Sequence, residues 1–127
     1  MDADQRVCSF GPESQYVDLA AEVFRLLSDP TRIRIVLALR EGELSVNELA
    51  EVVGRPAGGV SQHLAKLRWG RVVAVRQEGT KAYYRLIDKH ARRLVADAVA
   101  QAHRALGEPS AHELGGRATI GGDGEGQ

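Results

Sequence analysis

Two short segments of helical periodicity, split by a glycine turn and followed at once by two β-prone runs, constrain this chain more than any other feature. Ser45-Val46-Asn47-Glu48 has the form of a capping box, in which the serine hydroxyl and the glutamate carboxylate each satisfy an exposed backbone donor. The helix it opens ends at Val53, where Gly54 follows. A second helix starts near Pro56 or Ala57 and continues through Val60, Leu64 and Leu67 to about Trp69. Ala50 at the crossing, Gly54 at the turn and Val60 as the apolar anchor fit a helix-turn-helix. Residues 72–76 and 82–86 are then β-prone, and the Gln77-Glu78-Gly79-Thr80-Lys81 stretch between them carries the glycine of a hairpin turn. The predicted fold is a winged helix-turn-helix, mainly α with a small β-hairpin.

The flanking segments complete that fold. Leu19, Val23, Phe24 and Leu27 form an apolar stripe on a helix predicted over 15–27. Asp29 caps the next helix with Pro30 at its first position, and Ile33, Val36, Leu37 and Leu39 follow before Gly42. A last helix over 88–106 presents Ala91, Leu94, Val95, Ala98, Val99 and Ala102 on one face. That stripe suits a homodimer interface shared by the first and last helices; a lone core helix is the alternative. Seven of the 21 residues from 107 to 127 are glycine, and the large apolar groups there are too few to offset ordering entropy. With 127 residues there is room for one core. The predicted organisation is a flexible arm at 1–14, a DNA-binding and dimerisation domain at 15–106 and a flexible tail at 107–127.

Charge is partitioned. Lys+Arg and Asp+Glu both number 17, yet residues 55–85 hold Arg55, Lys66, Arg68, Arg71, Arg76, Lys81 and Arg85 against Glu78 alone. A basic block over the second helix of the motif and the hairpin points to a polyanion.

Several classes are excluded. No apolar run approaches the roughly 20 residues of a membrane span. The start MDADQRVCSF lacks the pattern of a secretory signal, so the expected location is the cytoplasm. Cys8 is the one cysteine, which rules out an internal disulfide and a thiolate-rich metal site. No nucleophile–base pair, phosphate-binding glycine loop or carboxylate dyad marks an enzyme.

Four stretches taken together resemble the ArsR/SmtB family: Val23-Phe24-Arg25-Leu26-Leu27-Ser28-Asp29-Pro30-Thr31-Arg32-Ile33-Arg34-Ile35, Ser45-Val46-Asn47-Glu48-Leu49-Ala50, Val60-Ser61-Gln62-His63-Leu64-Ala65-Lys66-Leu67, and Gly79-Thr80-Lys81-Ala82-Tyr83-Tyr84-Arg85-Leu86. The resemblance covers residues 16–106. It implies a homodimeric bacterial repressor that leaves its operator when an inducer, often a metal ion, binds.

Within that frame Ser61, Gln62 and His63 stand where a recognition helix meets base edges in the major groove, and the Gln62 amide can pair with one adenine edge. Lys66, Arg68 and Arg71 are placed for phosphates, and Arg76 and Lys81 on the wing for backbone or minor groove. Two-fold symmetry implies a palindromic double-stranded operator with half-sites about one helical turn apart.

The inducer is narrowed by what is missing. Family members sensing metal at the third helix carry paired cysteines where this chain has Ser45-Val46-Asn47. The family's last-helix site opens with Asp-x-His, matched by Asp88-Lys89-His90, but its further positions are Gln101 and Arg104 here. His103 and His112 offer another second half, and this combination is similar to the nickel/cobalt-sensing KmtR-type subgroup. The implied metal ligands are Asp88, His90, His103 and His112, with Ni(II) or Co(II) as inducer and Zn(II) as the third candidate. Asp97 lies on the His90 face as a further ligand or acceptor. Asp88 serves equally as an N-cap, and solvated residues are the alternative for His103 and His112. A non-metal inducer stays open.

Overall fold

The computed structural model describes residues 10–107. Residues 1–9 of the arm expected at 1–14 and 108–127 of the tail expected at 107–127, with Cys8 and His112 among them, lie outside the described residues. Compact packing divides the chain between Ile87 and Asp88.

The first unit begins with α1 (Val17–Leu27). It starts later than expected because residues 11–14 form a turn, in which the Ser14 N–H donates to Gly11 O at 3.0 Å, and Ser14 Oγ then accepts from the Tyr16 N–H at 3.0 Å. Helix α2 (Pro30–Ala38) has Asp29 as N-cap, its Oδ2 accepting from the Arg32 N–H at 3.0 Å, and Pro30 at the first turn. A single 3₁₀ turn, Leu39–Glu41, finishes it before Gly42. In α3 (Val46–Val53) the capping box is complete: Ser45 Oγ accepts from the Glu48 N–H at 3.2 Å and the Ser45 N–H donates to Glu48 Oε1 at 2.8 Å. Gly54 closes α3 in the left-handed region at φ 70°, and α4 (Ala57–Trp69) follows.

Helices α2, α3 and α4 pack on one another around Ile35, Val36, Leu49, Val60, Leu64 and Leu67, all fully buried. Deleting a buried leucine side chain from such a core costs about 2–5 kcal/mol.

The wing is β2 (Val73–Glu78) and β3 (Lys81–Leu86), antiparallel from Val73↔Leu86 to Glu78↔Lys81. The sequence pattern predicts a five-residue turn; the turn is only Gly79-Thr80. Gly79 has φ 64° at the first central position, as type II′ hairpins require, so pairing extends through Glu78 and Lys81. A third strand, β1 (Leu44–Ser45), pairs with β3 at Leu44↔Tyr84 and Ser45↔Tyr83. Nothing in the sequence pattern announces it, since two residues carry no periodicity.

The second unit is α5 (His90–Gly107). Its start falls two residues after the expected one, and the Asp88 carboxylate stands just ahead of it, Oδ1 accepting from the His90 N–H at 2.9 Å. No helix among the described residues is long and apolar enough to cross a membrane.

Candidate nucleic-acid interface and inducer residues

The recognition helix α4 has two distinct sides. Val60, Leu64 and Leu67 are buried, while Ser61, Gln62, Ala65, Lys66, Arg68 and Trp69 are exposed. Nothing in the packing requires glycine at 58 and 59, because an added Cβ at either meets no atom within 4 Å among the described residues. The first turn of α4 therefore leaves an open approach to its backbone. Ser61 and Gln62 rise directly from it.

His63 occupies the border between the two sides. Its Nδ1 accepts from Arg32 Nε at 3.0 Å and lies 3.9 Å from Asp29 Oδ2, so its ring is engaged with the start of α2. Accepting at Nδ1 places the neutral ring's proton on Nε2. Arg32 in turn donates from Nη1 to Leu26 O at 2.9 Å. One guanidinium thus joins the end of α1, the start of α2 and the recognition helix. Burial opposes ionisation of Asp29, but the backbone N–H groups of Arg32 and Thr31 and the nearby Arg32 guanidinium outweigh it and hold the carboxyl below its ordinary range.

On the wing the two expected contacts diverge. Lys81 is exposed at the start of β3. Arg76 instead faces acids: Nε lies 3.1 and 3.2 Å from the two Glu43 carboxylate oxygens, Nη2 donates to Glu43 Oε1 at 2.8 Å, Nη1 donates to Glu78 Oε1 at 2.7 Å, and the guanidinium lies 4.9 Å from the Tyr83 ring centroid. The hydrogen bond from Arg76 is the first cause holding Glu43 below the ordinary carboxylate range, and Glu43 and Glu78 push Arg76 further up. Arg76 pins β2 to the residue leading into β1. Lys66, Arg68, Arg71, Lys81 and Arg85 form no ion pair among the described residues.

Arg32, Glu43, Tyr83 and Trp69 carry no local pattern that marks them as site residues. Arg32 is legible only as part of the capping segment. The pairing of Glu43 with Arg76 spans 33 residues and depends on the unforeseen β1.

Helix α5 separates the implied metal ligands. His90 and His103 are 13 residues apart, about 20 Å along an ideal helix and on nearly opposite sides. Asp97 shares the His90 side but about 10 Å further on. The Asp88 carboxylate has one oxygen accepting from the His90 N–H. No group of three His, Cys, Asp or Glu side chains able to hold a metal occurs among the described residues.

The family model described as bacterial regulatory protein, arsR family, matches residues 29–74, from the α2 cap to the start of β2. The chain is 52% identical over 106 residues to the HTH-type transcriptional regulator KmtR of Mycobacterium tuberculosis, covering 83% of this chain and 81% of that one. It is 43% identical over 91 residues, covering 72% and 67%, to the transcriptional repressor SmtB of the same species. Identity is 39% over 79 residues, covering 61% and 65%, to a cadmium resistance regulatory protein, a CadC homologue, of Staphylococcus aureus. Among solved structures, the homodimeric winged helix-turn-helix DNA-binding domain Mb0332 of Mycobacterium bovis superposes with a TM-score of 0.63 at 26% identity, covering 87% of this chain and 99% of that one. These are transcription regulators rather than enzymes, and with its winged helix and their identity this chain belongs to the ArsR family of bacterial DNA-binding regulators.

Proposed function

We propose that the chain is a homodimeric cytoplasmic repressor that holds a palindromic operator in its metal-free state and releases it when a divalent cation binds, Ni(II) or Co(II) first and Zn(II) third. The observation that carries the DNA reading is the exposed side of α4, where Ser61 and Gln62 stand beside an open first turn and Lys66 and Arg68 have no acid partner among the described residues. Gln62 reads a base edge, Ser61 a base or phosphate, and Lys66, Arg68 and Lys81 take phosphates. His63 holds the helix against α2 through Arg32, and Arg76 holds the wing.

Dimerisation is supported by apolar surface left open on two helices. Leu19 is 61% and Phe24 57% exposed on α1, and Val99 is 45% exposed on the stripe of α5. A second copy covering these faces agrees with the homodimeric relative.

Metal control is supported by the relative named for cadmium resistance and by the histidines of α5. Imidazole and carboxylate donors suit Ni(II), Co(II) and Zn(II). Because His90 and His103 cannot meet on one helix, the reading requires ligands from the partner subunit or from His112. A 100-fold drop in operator affinity requires the cation to favour DNA-free protein by about 2.7 kcal/mol. A non-metal inducer is the second reading, favoured by the lack of a three-ligand cluster among the described residues.

The test is fluorescence anisotropy of a labelled duplex from upstream of the protein's own gene, with chelator and then with each cation. Binding abolished by one cation supports metal control and ranks the inducers. Binding indifferent to all three leaves the repressor and moves the inducer to an organic ligand.

A further inference from the structure

Trp69 is the chain's one tryptophan, and it is 91% exposed although so large a ring is ordinarily well covered. Its position is not random. At 100° per residue, Gly58, Gln62, Ala65 and Trp69 fall on one narrow stripe of α4, directly opposite Val60, Leu64 and Leu67. Trp69 continues the line that presents Gln62, about 10 Å further along the axis.

Cations surround it. With Ala65, Arg68, Arg71 and Tyr84 it lines an open cleft of about 630 Å³, and its other side, with Leu26, Ala65 and Lys66, forms a second shallow groove. Arg71 is the only non-glycine residue with positive φ among the described residues, at 62°. It occupies the left-handed position of a Schellman ending: Val72 N–H donates to Leu67 O at 2.9 Å and Arg71 N–H to Arg68 O at 3.0 Å. Glycine is usual there, and a side chain in that region costs about 1–2 kcal/mol. The glycine stands one residue earlier, because a Cβ at position 70 would overlap Leu26 Cδ2. A strained arginine beside an uncovered tryptophan points to a ligand that offsets both.

We propose that Trp69, flanked by Arg68 and Arg71, is a second DNA-contact point at the exit end of the recognition helix. Its indole face packs on a deoxyribose of the operator, and Nε1–H donates to an adjacent phosphate. The chemistry fits one occupant: indole offers a donor and no acceptor, phosphate oxygen offers only acceptors, and Lys66, Arg68 and Arg71 beside the ring are cationic. This inference rests on the DNA-binding reading above and extends its interface beyond Gln62.

Because the tryptophan is unique, its own emission tests the contact. The full-length protein is titrated with the duplex from upstream of its gene, following anisotropy of the labelled strand, and in parallel the emission of Trp69 and its quenching by acrylamide with unlabelled duplex. The expected result is a rise in anisotropy accompanied by a blue shift and reduced quenching, with Trp69→Ala weakening binding about five-fold and Trp69→Phe weakening it less. A rise in anisotropy with Trp69 as open to acrylamide as in free protein overturns this inference and leaves the DNA reading intact. Quenching already suppressed in DNA-free protein, and dependent on protein concentration, overturns it in favour of a contact between subunits. No rise in anisotropy overturns the DNA reading and the inference together.

Discussion

Arg32 donates through Nε to Nδ1 of His63 across 31 residues of sequence, and this bond joins the start of α2 to the middle of the recognition helix. Its consequence is that His63, though polar and on α4, faces the scaffold. His63→Ala is expected to lower stability by about 1.5 kcal/mol, the low end for a hydrogen bond to a charged donor because the pair is only part-buried, and to weaken operator binding less than Gln62→Ala does. Denaturant melts and anisotropy on the same preparations check both halves.

Asp29 caps α2 with a carboxylate held below its ordinary range. A carboxyl whose folded value is depressed stabilises the fold above its unfolded value and loses that contribution as pH falls through the folded one. Asp29→Ala is expected to cost about 1 kcal/mol at neutral pH. The gap between the two proteins should narrow below about pH 4. Urea unfolding across that range is the measurement.

Arg76 and Lys81, the two wing residues expected to reach DNA, both belong to the basic block, but of the two only Lys81 is free of acid partners among the described residues. Lys81→Ala is therefore expected to weaken operator binding and reduce the log–log salt slope by about 0.9 for each phosphate that the lysine neutralises. Arg76→Ala should leave that slope nearly unchanged, because its guanidinium is already committed to Glu43 and Glu78. Titrations at several salt concentrations separate the two.

Arg71 carries positive φ without being glycine. Arg71→Gly is expected to raise stability by up to about 1 kcal/mol, the relieved strain less the added entropy of the unfolded chain. The same change should weaken DNA binding. Stability and affinity moving in opposite directions is a result that a purely structural arginine would not give.

Features that rest on local periodicity and capping are legible in the sequence. Asp29-Pro30, Ser45 with Glu48, Gly54 and the apolar spacing of Val60, Leu64 and Leu67 act within one or two helical turns, and the structure has each in its expected place. Long-range pairings are not legible. The two-residue β1, the Arg76–Glu43 bond and the Arg32–His63 bond join segments about 30 to 40 residues apart, and no local pattern signals them. The wing turn falls at Gly79 as expected but is shorter than its composition suggests, because polar Gln77 and Lys81 have loop-like side chains while their backbone groups still pair. For the inducer residues, the structure has Asp88 accepting from the first N–H of α5 and sets His90 and His103 far apart on that helix. His112 lies outside the described residues.

The most direct measurement compares wild type, Gln62→Ala and His90→Ala on the labelled upstream duplex, in chelator and then in Ni(II). In chelator, wild type and His90→Ala are expected to bind alike and Gln62→Ala about ten-fold more weakly. On adding Ni(II), wild type should release the duplex and His90→Ala should keep it. Release by His90→Ala at the same Ni(II) concentration as wild type, or undiminished binding by Gln62→Ala, would contradict the division of labour between α4 and α5.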